Sequence, residues 1–144
     1  MKILFDTSVL VAALLKSHPV HHRCINWLSR AHEREFEFLI PTHVLAELYA
    51  VLTSIPIQPR LSPGQTRQMI HHNILPVATV VALTVSDYTR VINRLADLGL
   101  SGGNVYDALI VRAAEKSKAD YLLTLNRKNF LKVWPEGAER LIAV

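Results

Sequence analysis

The chain has 144 residues, of which 50% are hydrophobic and 19% charged, so it can fill the core of one domain and is not a disordered protein. Its single cysteine, Cys24, excludes a disulfide framework and favours a reducing, cytoplasmic compartment. Sixteen Lys and Arg against twelve Asp and Glu give a formal charge of +4, which allows a polyanionic partner. The early apolar run 9–15 is far shorter than the roughly 20 residues of a membrane span, so we expect no membrane association.

Strands and helices alternate along the chain. In chain order, the predicted elements are strand 3–5, helix 8–15, a helix after Pro19, strand 36–40, helix 42–53, loop 54–63, a helix to 75, strand 78–83, helix 84–98, helix 104–118, strand 120–125, helical turn 126–131 and edge strand 141–144. This alternation predicts one α/β domain over 1–144, with a parallel sheet covered by helices on both faces. Functional residues of such folds collect at the carboxyl ends of the strands.

Most acidic residues, Asp87 among them, fall on polar helix faces or in loops, where we expect solvated carboxylates. Three others occupy less usual places. Asp6 ends an apolar strand, although it could simply cap the following helix. Glu47 flanks the apolar stripe of its helix, from which it could still reach solvent.

The third unusual acid, Asp107, lies inside a helix next to Ile110 and Val111. A structural role there would need an arginine or a cap, and Arg112 points well round the helix. Three such carboxylates suggest one site that needs a cation, and an all-oxygen donor set suits Mg²⁺ or Mn²⁺. An acidic metal site on a basic protein fits hydrolysis of the phosphodiester bonds of a polyanion.

Four segments of the chain resemble the motifs of PIN-domain proteins of the VapC type, the toxins of VapBC toxin–antitoxin pairs. They are ILFDTSVL at 3–10, PTHVLAEL at 41–48, NVYDALI at 104–110 and LLTLNRKNF at 122–130. The resemblance implies a Rossmann-like α/β/α sandwich with a central, mostly parallel sheet. It also implies Mg²⁺- or Mn²⁺-dependent endoribonuclease activity, a VapB-type antitoxin partner and a homodimer.

By motif position, the resemblance implies that Asp6, Glu47 and Asp107 bind the metal. Asn126, and similarly Asn129, stand where the family often has an acid, so we expect a second metal to bind weakly or only with substrate. Hydrogen bonds to the carboxylates are expected from Thr7, Ser8 and Thr124. The candidates for contacts with the RNA backbone are Arg112, Lys116, Arg127, Lys128 and Lys132.

The resemblance also assigns a use to apolar side chains around the Glu47 motif, beyond packing in the core. Core packing is the default explanation for several of them. We expect the others to contribute to the dimer interface and to a groove for an antitoxin helix, which would send a basic group into the acidic pocket. The whole group consists of Trp27, Leu28, Leu48, Tyr49, Leu52, Ile55 and Ile57.

Other functions fit the sequence less well. The leading alternative is a catalytically silent PIN-fold module that binds RNA or protein. A phosphatase with Asp6 as nucleophile would need an acid two residues on, where the chain has Ser8. His18, His21, His22 and Cys24 lie close together, but no second ligand group follows with the spacing of a zinc site.

Overall fold

Five parallel strands form the single sheet of the computed structural model, which describes residues 1–144. The strands are β1 Lys2–Phe5, β2 Glu37–Pro41, β3 Thr79–Val81, β4 Tyr121–Thr124 and β5 Leu141–Ala143. Their spatial order is β3-β2-β1-β4-β5, and every neighbouring pair is parallel. The predicted α/β/α fold is confirmed, and its sheet is parallel throughout.

Seven α-helices connect and cover the strands. They are α1 Thr7–Leu14, α2 His21–His32, α3 Thr42–Ser54, α4 Pro63–Met69, α5 Val85–Leu98, α6 Asn104–Lys116 and α7 Arg127–Val133. The helix predicted to reach residue 75 is α4 followed by a π-helical turn, Ile70–Ile74. A 3₁₀ turn at Pro135–Arg140, which the sequence did not predict, leads into the edge strand β5.

The central strands are apolar on both faces because helices cover both sides of the sheet. Ile3, Leu4 and Phe5 of β1 have no solvent-exposed surface, and neither do Leu122 and Leu123 of β4. Helix α1 is buried around most of its circumference, which explains why its sequence is apolar without a polar face. The buried thiol of Cys24 packs in the same core.

The apolar side chains expected to serve partner binding divide into two groups. Leu28, Leu48 and Leu52 are buried in the core, so packing accounts for these three, as expected for several residues of the group. Tyr49 is exposed on α3, and the others are half-buried at the margin of the core. No helix combines the length and the apolar character that crossing a bilayer requires.

The position of the functional site follows from the strand order. From β1 the chain builds the sheet outward through β2 to β3, then returns to place β4 on the other side of β1. The segments that follow β1 and β4 therefore lead to opposite sides of the sheet. The crevice between them, at the carboxyl ends of these two strands, is the topological switch point, where α/β proteins bind ligands. Asp6 directly follows β1, and its backbone N–H donates to the carbonyl of Leu123 in β4 at 2.9 Å.

Candidate active site

Asp6 lies at the switch point with only 4% of its surface exposed. It occupies the residue before α1, but its carboxylate makes no capping hydrogen bond. Instead, its Oδ2 accepts hydrogen bonds from Ser8 Oγ at 2.6 Å and from Thr124 Oγ1 at 2.9 Å. Burial raises the pKa of Asp6, and the two hydroxyls partly oppose that rise. The carboxylate is therefore held in one orientation without a cationic partner.

Glu47 points from the middle of α3 towards the same region. Its Oε2 accepts a hydrogen bond from Thr7 Oγ1 at 3.0 Å, which joins α3 to the start of α1. Its Oε1 lies 2.9 Å from Nε2 of His43, one helical turn earlier, but the ring is not oriented for a hydrogen bond. Both of these atoms are buried without a hydrogen-bond partner. Burial raises the pKa of Glu47. The hydrogen bond from Thr7 and the proximity of His43 oppose that rise in part, and the charge of Asp6 adds to it.

Asp107 completes the group from the first turn of α6, where it is half-buried. Burial, followed by the negative charges of Asp6 and Glu47, raises the pKa of Asp107 to about 6. The fold thus brings the three unusual acids close enough for their charges to interact. No three of the His, Cys, Asp and Glu side chains, however, are arranged to hold one metal ion together.

Asn126 follows β4 at the same edge of the sheet. Its backbone N–H donates to Thr124 Oγ1 at 2.9 Å, and the neighbouring N–H of Leu125 donates to Ser8 Oγ at 3.1 Å. The hydroxyls of Thr124 and Ser8 therefore link the segment after β4 to Asp6. The side chain of Asn126 itself is exposed.

The PIN domain family matches residues 3–133, which is most of the chain and includes all three acids. The chain belongs to the PIN-domain family. Within that family it is of the VapC type, because it is 33% identical over 115 residues to "Ribonuclease VapC27" of Mycobacterium tuberculosis, a match that covers 80% of this chain and 78% of the relative. It is also 29% identical over 117 residues to "Ribonuclease VapC40" of the same species, over 81% of both chains.

Solved structures show the same fold. VapBC2 from Rickettsia felis, crystallised with a DNA fragment from its promoter, aligns with a TM-score of 0.68 at 21% identity over 100% of this chain and 99% of that chain. VapC20 of Mycobacterium tuberculosis, described as a sarcin-ricin loop cleaving toxin, aligns with a TM-score of 0.63 at 16% identity over 83% of this chain and 86% of that one.

Two of the basic residues proposed for RNA contact in this PIN domain are engaged elsewhere. Arg112 Nε donates to Asp87 Oδ1 at 2.9 Å, and Lys116 Nζ donates to Asp87 Oδ2 at 2.7 Å. Asp87 is 4% exposed and also forms a capping box with Thr84 at the start of α5. The expectation that Asp87 is a solvated carboxylate is therefore wrong, because its two cationic partners come from α6.

The remaining basic candidates lie near β4. Arg127 donates through Nη2 to the carbonyl oxygen of Ala138 at 3.0 Å, which ties α7 to the 3₁₀ turn. Lys128 and Lys132 are exposed. Of the five candidates, these two lysines have no hydrogen-bond or ion-pair partner for their side chains within the protein.

The structure adds two residues that the sequence did not single out. The rings of His43 and Tyr106 stack with centroids 5.2 Å apart and an angle of 1° between their planes. His43 is four residues before Glu47, and Tyr106 directly precedes Asp107. The spacing of four residues between His43 and Glu47 could have indicated that they share one face of α3. Nothing in the sequence indicated that α3 packs beside α6, which brings Tyr106 to His43.

Proposed function

We propose that this VapC-type PIN domain is a Mg²⁺- or Mn²⁺-dependent endoribonuclease and the toxin of a type II toxin–antitoxin pair. The observation that supports the proposal is the charge interaction among Asp6, Glu47 and Asp107 near the switch point, where none of the three has a lysine or arginine partner. Such a cluster is unfavourable for folding unless a cation neutralises it. The kinship with proteins named ribonucleases supports the nuclease over a catalytically silent module.

The donor chemistry fits a hard divalent cation. All three side chains offer carboxylate oxygens, and Glu47 Oε1 is buried with no hydrogen-bond partner. Because carboxylates repel each other, cation binding would require side-chain movements that bring the three together. Asp6, Glu47 and Asp107 would hold the ion, which when bound supplies charge neutralisation at the phosphate and activation of water.

The chain's own residues have distinct roles in this proposal. Ser8 and Thr124 fix the carboxylate of Asp6, and Thr7 fixes that of Glu47. Asp107 would accept the proton of the attacking water as the general base. Asn126 contributes a neutral amide at the edge of the site, which leaves one negative charge fewer for a second cation.

The surroundings of the site suit a nucleic acid and a protein partner. Lys128 is free to contact the RNA backbone, whereas Arg112 and Lys116 are held by Asp87. The VapC type supports a VapB-type antitoxin and a homodimer as partners, and a cytoplasmic location. Exposed apolar residues on α3 and α5 offer surface for such contacts: Tyr49, Val51, Val85, Tyr88, Ile92 and Leu98.

The test is RNA cleavage by the purified protein with Mn²⁺ or with EDTA, beside the variant Asp107→Asn. We expect cleavage with Mn²⁺, none with EDTA, and a loss of at least about 100-fold in the variant, because it removes the base and a metal ligand. Asp97→Asn is the matched control, since Asp97 is an exposed acid on α5. We also expect Mn²⁺ to raise the melting temperature of the parent. Absence of both cleavage and metal-linked stabilisation would instead identify a silent binding module.

A further inference from the structure

The aromatic pair beside the acids has no role in the chemistry described above. Tyr106 is 52% exposed, so its ring fills no space in the core. One face of the ring lies against His43, and no hydrogen bond from its hydroxyl ties it to the protein. An exposed, unbonded tyrosine contributes little to folding, yet its partner holds it in a defined orientation.

His43 supplies the rigid half of the pair. Its side chain is only 23% exposed, and its Nε2 is buried 2.9 Å from the carboxylate of Glu47. The imidazole is therefore enclosed between Glu47 on its own helix and the ring of Tyr106 from α6. This packing orients the exposed aromatic surface before any ligand arrives, which lowers the entropic cost of binding.

A shallow cavity of about 320 Å³ adjoins the pair. It is lined by His43, Ala46, Glu47, Ala50 and Tyr106. The small side chains of the two alanines leave space above this face of α3. The aromatic pair and Glu47 also line that space. This volume is at the lower end of the range for small-ligand pockets, roughly 300–1,000 Å³, and suits a single flat group.

We propose that His43 and Tyr106 form a stacking platform for one nucleobase of a single-stranded RNA, next to the bond that is cut. This inference rests on the proposed ribonuclease function and adds a residue that positions the substrate. Proteins bind single-stranded nucleic acid by stacking unpaired bases on aromatic rings, and a paired base inside a duplex offers no free face. Because both ring residues adjoin acids of the site, a stacked base would bring its neighbouring phosphate to the carboxylates.

The experiment measures binding and cleavage separately. Binding is followed in an Asp107→Asn background with a single-stranded oligoribonucleotide that carries 2-aminopurine, whose fluorescence is quenched when the base stacks. Added to that background are Tyr106→Ala, Tyr106→Phe and, as a matched control, Tyr88→Ala, since Tyr88 is a 40% exposed tyrosine on α5. Melting temperatures of all variants establish that each one is folded.

We expect Tyr106→Ala to weaken RNA binding by roughly 5- to 150-fold, the range for losing one base stack. The quenching of 2-aminopurine fluorescence in the bound RNA should also decrease. Tyr106→Phe keeps the ring and should match the parent, as should Tyr88→Ala. In the active protein, Tyr106→Ala should lower kcat/KM for RNA cleavage, and Tyr106→Phe should restore it. RNAs that each lack one base, at successive positions, should show the same loss of binding when the missing base is the one that stacks. At that position, removing the base and introducing Tyr106→Ala together should weaken binding no more than either change alone.

The outcomes separate the two proposals. If the parent binds and cleaves RNA while Tyr106→Ala behaves like Tyr106→Phe and Tyr88→Ala, the platform is wrong and the nuclease stands. If the parent neither binds nor cleaves RNA, the proposed function and the platform both fail. Equal losses for Tyr106→Ala and Tyr106→Phe would also overturn stacking, because they would assign the effect to the hydroxyl.

Discussion

At the scale of single residues, the site is a set of carboxylates held by hydroxyls. Ser8 and Thr124 bind Asp6, and Thr7 binds Glu47, so these acids are oriented by neutral donors that add no positive charge. A lysine or arginine in those places would stabilise the fold but occupy the position of a cation. Burial raises the pKa of all three acids, and the hydroxyls that bind Asp6 and Glu47 oppose this rise only in part.

Asp107 should reduce the stability of the metal-free protein at neutral pH. Its pKa rises from 3.8 to about 6 on folding, so between these values the folded state holds a proton that the unfolded state has lost. Stability due to this group therefore falls as pH rises through that interval, and stays lower above it. We expect Asp107→Asn, which cannot titrate, to gain about 1–2 kcal/mol relative to the parent above pH ~6 in EDTA, a value discounted for partial exposure.

Thermal and urea unfolding in EDTA between about pH 4 and pH 8 measure this difference. The gain should grow as pH rises from 4 to 6 and then remain constant. Asp97→Asn should show no such dependence, since Asp97 is exposed on a helix surface. A large, pH-independent loss of stability in Asp107→Asn would contradict the prediction and assign Asp107 a structural role.

At the scale of elements, Asp87 joins α5 to α6. The carboxylate accepts from the backbone N–H of Thr84 at 2.8 Å and from Arg112 and Lys116. Hydrogen bonding and charge from Lys116, the cap with Thr84 and the guanidinium of Arg112 lower the pKa of Asp87 well below its usual range. This contact fixes the far end of α6, the helix whose first turn carries Tyr106 and Asp107.

We expect Asp87→Asn to lower the free energy of unfolding by about 2–3 kcal/mol at pH 7, because two cations lose their buried partner. Asn can still accept the capping hydrogen bond, so the decrease in the free energy of unfolding measures the loss of the charge interactions with Arg112 and Lys116. Since the pKa is lowered on folding, this stabilisation is present above pH 3.8 and is lost as pH falls further. Denaturant unfolding at pH 7 and at pH 3 should show the gap between parent and variant closing. Asp97→Asn on the same helix is again the control, and an equal loss in that variant would refute the prediction.

At the scale of the whole molecule, the three acids of the proposed site lie at one edge of the sheet, so a single bound partner could cover all of them. The segments after β1 and β4, the middle of α3 and the first turn of α6 meet there. An acidic pocket beside exposed residues of α3 suits an antitoxin segment that places a basic group among the carboxylates. A charge pair buried in that way is costly to leave unpaired.

We therefore expect an antitoxin to inhibit by occupying the active site. Its affinity for the protein, measured by calorimetry, should fall when Mn²⁺ is raised or when RNA is added, because all three compete for one pocket. Asp97→Asn should respond to Mn²⁺ as the parent does. Unchanged affinity together with cleavage by the complex would exclude this mode of inhibition, even if the nuclease assignment holds.

Much of this arrangement was predictable from the order of residues. Two apolar runs that end at Asp6 and Pro41, and a helical pattern that ends at Gly99, predicted strands and helices in alternation. The acids stood out because each adjoins apolar neighbours. Boundaries differed by a few residues, as at β3, which is shorter than the predicted strand 78–83. The 3₁₀ turn Pro135–Arg140 was missed because a long-range contact helps to hold it: Arg140 donates to the carbonyl oxygen of Ala119, 21 residues earlier, and lies over the ring of the adjacent Trp134.

The fold class and the three unusual acids could be recognised in the sequence, because hydrophobic periodicity and apolar neighbours around an acid are local properties. Which charges are paired depends instead on contacts between distant segments. Asp87 meets Arg112 and Lys116 across 25 and 29 residues of chain, and His43 meets Tyr106 because α3 and α6 adjoin at the site. Whether a charged side chain is solvated or buried depends on what another element places against it, and no window of sequence contains that information.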